Sequence, residues 1–218
     1  MRFCYPLIVD HGHLLIQLDQ EIYLIDTGAT LSILSTEVLQ IAGKTYKNSS
    51  NNQNITVEKL NAFLNKKIDG LIGADILVDF MVTINVSEGT LELDENCLQA
   101  PQGSTIPFEL LQGVPVIDIW VEDNILIKAF LDTGAQLSYL DPSITKAKDI
   151  CGRKKDFHPS LGEFETDIFC INTGFADKKL KVFFGNLPNT LQTGLMKENI
   201  KAIIGFDLFN AYVVCIDY

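Results

Sequence analysis

The sequence predicts an all-β fold of two similar lobes, and three observations predict it. A four-residue stretch is used twice, Asp26-Thr27-Gly28-Ala29 and Asp132-Thr133-Gly134-Ala135; each copy ends an apolar run and leads, one residue on, into Leu-Ser. A second element is duplicated downstream, Asp69-Gly70-Leu71-Ile72-Gly73-Ala74-Asp75-Ile76-Leu77 being echoed by Lys201-Ala202-Ile203-Ile204-Gly205-Phe206-Asp207-Leu208-Phe209, then by Phe80/Tyr212, Val82/Val214 and Ile84/Ile216. Between these elements lie short apolar runs, alternating or continuous, bounded by turn residues, which is the pattern of strand, turn, strand. One Asp-Thr-Gly would be an ordinary turn. Two copies in matched contexts make a tandem duplication.

The repeat divides the 218 residues into lobes at 1–98 and 99–218, with the boundary in a stretch at 95–103 rich in Asn, Gln, Pro and Gly. The first motif recurs at an offset of 106 and the second at 132, so the second half has 26 more residues between its motifs.

Taken in order, residues 3–9 and 14–18 read as a hairpin around His11-Gly12-His13, leading into the strand before Asp26. Residues 106–111 and 114–121, around Gln112-Gly113, repeat it. The two His beside Gly12 are read as a solvated turn, because no further ligand spacing accompanies them. A short helix is expected after each Asp-Thr-Gly-Ala: Ser35 or Thr36 capping residues 37–41, and Asp141 capping a helix that has Pro142 at its first position and runs over 143–148. Residues 47–54 form a polar loop, after which Thr56 caps a helix whose Val57, Leu60, Phe63 and Leu64 are placed against the core. In the longer second half, residues 156–164 read as strand, turn, strand, and 166–172 with 180–184 as another hairpin. Asp75 and Asp207 are read as caps of the helices that follow them. Trp120, between Ile117, Ile119 and Val121, is assigned to core or interface, and His158 to an exposed loop.

At these residues the chain resembles the aspartic proteases. Asp-Thr-Gly-Ala followed some tens of residues later by two aliphatics and a Gly is similar to their repeating unit, and two units in one chain resemble the two-lobed pepsin-like arrangement. The Ala after each Gly, and the Gly-x-Asp-hydrophobic run downstream, are more similar to the retropepsin-like members. The resemblance covers nearly the whole chain, as of a retropepsin-like dimer fused into one. It implies two β-barrel-like acid-protease lobes related by a pseudo-two-fold, with the active site in the cleft between them. Asp26 and Asp132 would be the catalytic pair, Thr27 and Thr133 would bond across the interface, and Gly73 and Gly205 would pass close under the catalytic loops. It also implies a substrate flap, expected once, in the second half, at Phe157, His158, Pro159, Ser160, Leu161 and Gly162; the first half has no room for one.

The chemistry such a pair supports is definite. Two carboxylates a few ångströms apart cannot both ionise cheaply, so they share one proton, as in the aspartic-protease dyads. One member then takes a proton from a bound water while the other protonates the amide carbonyl. Gly28 and Gly134 let each turn approach the opposite carboxylate without a Cβ in the way, and their N–H groups can hold the inner oxygens. Ala29 and Ala135 lack the hydroxyl that usually follows in pepsin-type motifs. Neither metal nor cofactor is expected.

Composition narrows the alternatives. A net charge of −11, from 17 Lys plus Arg against 28 Asp plus Glu, disfavours nucleic-acid and anionic-membrane partners. No apolar run reaches transmembrane length and the N-terminus does not read as a signal peptide, so a cytoplasmic location is expected, with the five Cys reduced. A strand beginning at Arg2 is expected to leave no room for a pro-segment. Sequons at Asn48, Asn54 and Asn85 are read as chance. The expectation is a monomeric aspartic endopeptidase acting on extended polypeptide. The rival is a peptide-binding or scaffold protein that kept the fold and lost turnover; a two-carboxylate glycosidase lacks the aromatic sugar platforms it would need.

Overall fold

The computed structural model describes residues 1–48, 55–95, 102–122, 124–158 and 162–218, and they are mostly β. In the first half β1 (Arg2–Asp10) and β2 (His13–Leu18) pair antiparallel around a turn whose His11 and Gly12 both have positive φ. β3 (Glu21–Ile25) pairs with β2 and runs straight into the first Asp-Thr-Gly-Ala, after which comes β4 (Ile33–Leu34). The helix expected over residues 37–41 is instead β5 (Val38–Ile41), hairpinned with β6 (Lys44–Lys47). Its side chains alternate, with Leu39 and Ile41 buried between exposed Val38 and Gln40, which is the period of a strand and not of a helix. The tip of this hairpin docks on β1, the Ala42 N–H donating to the Tyr5 hydroxyl at 2.8 Å.

Helix α1 (Val57–Leu64) begins where expected, the Thr56 side chain accepting the Lys59 N–H. Then come β7 (Gly70–Ile72), α2 (Ala74–Leu77), β8 (Met81–Asn85) and β9 (Thr90–Asp94). Of the expected polar loop only Lys47 and Asn48 belong to the described residues; 49–54 do not.

The second half repeats the strands on either side of its motif and differs between and after them. β10 (Phe108–Leu111), β11 (Val114–Val121) and β12 (Ile125–Leu131) lead into the second Asp-Thr-Gly-Ala, and β13 (Ser138–Leu140) leaves it. α3 (Pro142–Thr145) is shorter than expected but capped as expected, the Asp141 carboxylate accepting the Ser143 N–H at 2.8 Å. The additional residues form β14 (Gly152–His158), a long β15 (Gly162–Phe175) and β16 (Lys178–Asn186), all antiparallel neighbours. Helix α4 (Asn189–Lys197) has no counterpart in the sequence reading, although Leu191 and Leu195 stand at helical spacing. β17 (Ile200–Ile204), α5 (Phe206–Ala211) and β18 (Val214–Asp217) complete the chain.

Two eight-stranded sheets result, ordered β18-β8-β9-β1-β2-β3-β7-β4 and β10-β11-β12-β17-β13-β16-β15-β14. In the second, β11 also pairs with β15 through Trp120 opposite Gly174, so six strands close into a barrel. The first stays open and ends on β4. Trp120 therefore lies outside the barrel, 43% exposed, and is no core residue.

Both halves make the same unusual connection: β3 runs parallel to β7, and β12 parallel to β17, with the Asp-Thr-Gly-Ala turn leading to a strand antiparallel to the same partner. The last strand crosses over. In β18, Val214 lies opposite Ile84 and Ile216 opposite Val82, so the duplicated segments pair with each other in the first sheet. A division at 98/99 leaves this strand on the far side, and most of the boundary stretch lies outside the described residues. One continuous core runs through both halves, from Leu14, Ile25, Ile72 and Ile84 to Ile119, Phe184, Ile204 and Phe209. At about 1.5–3 kcal/mol for each large side chain fully buried, that shared core gives the two turns a stiff common base.

Candidate active site

The two turns meet at the centre of this base. Asp26 and Asp132 are held at the strand ends by their own N–H groups, which donate to the carbonyls of Ile72 (3.0 Å) and Ile204 (2.9 Å). Each Asp Oδ1 accepts two loop N–H groups, from Gly28 and Ala29 (both 2.9 Å) and from Gly134 and Ala135 (2.9 and 3.1 Å). Each carboxyl group faces the glycine of the other loop, and the two titrate as a coupled pair.

The glycines explain how this approach is possible. A Cβ on Gly134 would stand 2.5 Å from Asp26 Oδ2, and one on Gly28 would collide with the Asp132 carboxyl carbon. Any side chain at either position would push the pair apart.

Thr27 and Thr133 lock the loops in a reciprocal exchange, both residues being fully buried. Thr27 Oγ1 donates to the Leu131 carbonyl (2.8 Å) and accepts the Thr133 N–H (3.0 Å). Thr133 Oγ1 donates to the Ile25 carbonyl (2.7 Å) and accepts the Thr27 N–H (2.9 Å). Beneath them pass Gly73 and Gly205, where a Cβ would meet the carbonyl oxygens of Ala29 (2.7 Å) and Ala135 (2.5 Å).

A further pair went unassigned in the sequence although its signal was present in the repeat. Ser32 Oγ accepts the Gly73 N–H (2.9 Å) and Ser138 Oγ the Gly205 N–H (3.0 Å), tying each Asp-Thr-Gly-Ala loop to the strand below it. Asp75 does not cap α2, whose N-cap is Gly73; its carboxylate accepts both the N–H (2.8 Å) and the hydroxyl (2.6 Å) of Ser32. Asp207 does not cap α5 either, and bonds the Phe183 N–H on β16 at 3.1 Å. The halves differ here because β13 has β16 beside it, while β4 is a sheet edge.

Above the carboxylates is a cavity of about 250 Å³. Leu24, Ile33, Leu60, Phe63, Leu64 and Leu71 line it from the first half, and Tyr139, Phe157, His158, Phe164, Leu191 and Ile203 from the second. A larger, more open pocket of about 1140 Å³ adjoins it, reaching Lys59, Lys66, Lys155 and Glu163. Phe63 and Phe157 border both.

The expected flap residues fall on the β14–β15 hairpin: Phe157 and His158 end β14 and line the cavity, and Gly162 begins β15 with φ +76°. Pro159, Ser160 and Leu161 lie outside the described residues. His158 is half-buried, not an exposed loop residue, and His13, expected in a solvated turn, is buried. Helix α1 packs Val57, Leu60 and Leu64 on the core of the first half, with Leu60 and Leu64 also reaching the cavity, while Phe63 faces the cavity alone. The hydroxyl of Tyr139 donates to Asp156, two residues before β14 ends.

No protein-family profile matches this sequence, and no curated protein matches it.

Burial raises the pKa of both aspartates above the ordinary carboxylate range. For Asp26 the charge and hydrogen bond of Asp132 add to the rise, against the N–H groups of Ala29 and Gly28. For Asp132 the N–H groups of Gly134 and Ala135 and the bond from Asp26 oppose it, while Asp156 adds to it. The pair therefore holds a proton where isolated aspartates would have lost theirs. Among the described residues no cluster of three or more His, Cys, Asp or Glu is placed to hold a metal ion, and no helix is long and apolar enough to cross a membrane.

Proposed function

We propose that this chain is an aspartic endopeptidase that hydrolyses extended polypeptide with a water activated between Asp26 and Asp132. The observation that carries this reading is the apposed carboxyl pair, each member gripped by its own loop N–H groups and facing the glycine of the other loop. The matched turns, crossed threonines and parallel strand pairs further support acid-protease lobes related by a pseudo-two-fold, fused in one monomeric chain.

In the singly protonated pair Asp132 acts as base and Asp26 as acid. Asp132 takes a proton from the water as its oxygen bonds to the amide carbon, and Asp26 gives its proton to the carbonyl oxygen, forming a neutral gem-diol. In the second step the amide nitrogen receives the proton from Asp132, the C–N bond breaks, and a diol hydroxyl returns its proton to Asp26. The apolar cavity walls favour hydrophobic side chains beside the cut bond, and the hairpin edge offers backbone groups to a substrate in β conformation.

The test is incubation with denatured casein from acidic to neutral pH, with and without a pepstatin-type inhibitor. Inhibitor-sensitive release of peptides is expected; intact casein at every pH from folded protein overturns the proposal. The stacked Phe63 and Phe157 beside so small a cavity favour one second reading, a peptide-binding protein without turnover. It predicts capture of the same casein uncut.

A further inference from the structure

Asp156 is a carboxylate outside the Asp26–Asp132 pair, and it lines the same cavity. It stands on β14 directly opposite Phe164 of β15, so the two side chains leave the hairpin on one face, and that face looks into the cavity beside Tyr139. The Tyr139 hydroxyl donates to Asp156 Oδ2, and the Phe157 N–H donates to Oδ1 at 2.7 Å. An ionised carboxylate accepts about four hydrogen bonds, so both oxygens keep room for another donor.

Its charge has no counter-charge nearby. Among the described residues the cavity is lined by three carboxyl groups, Asp26, Asp132 and Asp156, and by no lysine or arginine. The cations of neighbouring segments are engaged elsewhere: Arg153 pairs with Asp167 (2.9 Å) and Lys66 with Asp10 (2.5 Å). Lys155 borders the larger pocket, but side chains alternate along a strand, which puts it on the opposite face of β14 from Asp156. The field of Asp156 favours the protonated forms of His13 and His158, yet burial outweighs it and keeps both rings neutral below their usual range. Neither ring therefore neutralises the carboxylate near neutral pH.

Position gives this charge a use. Asp156 borders both the cavity over the pair and the larger, more open pocket, as do Leu60, Phe63 and Phe157, so an extended chain running from one to the other passes it. A long cationic side chain fits such a neck, with its methylenes against Leu60 and Phe63 and its head at the carboxylate. Taking a cation from water into apolar surroundings is costly, and a charge-assisted hydrogen bond to a fixed anion offsets that cost.

We propose that Asp156 is a specificity-determining residue, which takes the head of a lysine or arginine side chain of the bound polypeptide at one position beside the bond that faces Asp26 and Asp132. This deepens the endopeptidase reading and rests on it only for the cut. The bond from Tyr139 holds the carboxylate in place. The first half has no counterpart, because β14 and β15 belong to the additional residues of the second, so the preference falls on one side of the bond.

The test is calorimetric binding of hydroxyethylene peptides, whose central bond cannot be hydrolysed, with a single lysine moved position by position and norleucine as its uncharged match. At one position lysine should bind the wild type on the order of tenfold more tightly than norleucine, and glutamate more weakly than either. Asp156→Asn, whose amide oxygen still accepts from Tyr139, should bring lysine and norleucine to equal affinity. If Asp156→Asn does not fold, Asp156→Thr replaces it, a strand-forming residue whose hydroxyl is also an acceptor. A residue that only anchors the hairpin would weaken every peptide alike and leave the ratio where it was; that result overturns the proposal, as does equal affinity for lysine and norleucine at every position in the wild type. Folded protein that binds none of the peptides overturns it too. Binding needs no turnover. The expected ratio in a protein that cuts no casein leaves Asp156 in its role and removes the endopeptidase reading, whereas casein cleavage without a lysine preference does the reverse.

Discussion

The ring of Phe63, on α1 of the first half, stacks on the ring of Phe157, at the end of β14 in the second, with centroids 3.8 Å apart and planes at 23°. This contact joins the two walls of the cavity that Asp26 and Asp132 also line, and under the proposed function it must open to admit an extended chain. A stacked aromatic pair is worth about 0.5–1.5 kcal/mol beyond its buried area. Phe63→Ala should therefore speed association of a pepstatin-type inhibitor by roughly three- to tenfold, with a smaller change in its dissociation rate. Stopped-flow binding measures both, and an unchanged association rate means that the stack does not gate the cleft.

Asp26 contributes a pH dependence of stability whose sign follows from its raised pKa. An unfolded aspartate ionises near 3.8. Between there and its higher folded value the native protein keeps a proton that the unfolded chain has released, so stability falls as pH rises through that window. Each tenfold weakening of acidity corresponds to about 1.4 kcal/mol. Asp26→Asn removes the titration, and thermal melts should show it more stable than wild type near neutral pH, with the gain vanishing below the unfolded value. A variant equally or less stable at neutral pH would contradict the raised pKa.

The threonine exchange should be among the most stabilising polar contacts in the molecule. Thr27→Val keeps the shape but leaves the Leu131 carbonyl and the Thr133 N–H buried without partners, at about 1–3 kcal/mol each. Urea denaturation should show a loss of about 2–5 kcal/mol, and Thr27→Ser should recover most of it. Thr133→Val should cost as much, and the double variant less than the sum, because the four bonds form one network.

The bond from Tyr139 to Asp156 anchors the hairpin. Burial and the Asp156 charge keep the phenol protonated far beyond its usual range, so it serves as a donor at every working pH. Tyr139→Phe should cost about 1–3 kcal/mol of local stability. Amide hydrogen exchange should then rise in β14 and the start of β15 and stay unchanged in β8 and β9. If the hairpin positions substrate as the proposed function has it, KM should rise more than kcat falls.

The sequence showed the parts of this site that are written twice. Asp26 and Asp132, the threonines, and the glycines under the loops each have a partner at a matched position, and even Ser32 and Ser138 stood in the repeat. Residues that break the duplication carried no such signal: His13 faces Val114 across it, Tyr139 faces Ile33, and Asp156 and Phe157 lie in the additional residues of the second half. Local pattern misled at residues 37–41, where five residues with three apolar ones fit a helical turn or a strand, and in the structure they pair with β6 and dock beside Tyr5. The crossing of β18 into the first sheet was foreshadowed by the echo of Val82 and Ile84 in Val214 and Ile216, but pairing between copies is a tertiary choice that one-dimensional similarity cannot express.

The most direct test of the account is casein cleavage by wild type, Asp26→Asn and Asp132→Asn, each confirmed folded by NMR, with the products read by mass spectrometry. Because the two carboxyl groups act as a unit, each single variant should lose on the order of a thousandfold or more in rate, and the double variant should be no worse than either. Cleavage near the wild-type rate by either single variant would contradict it.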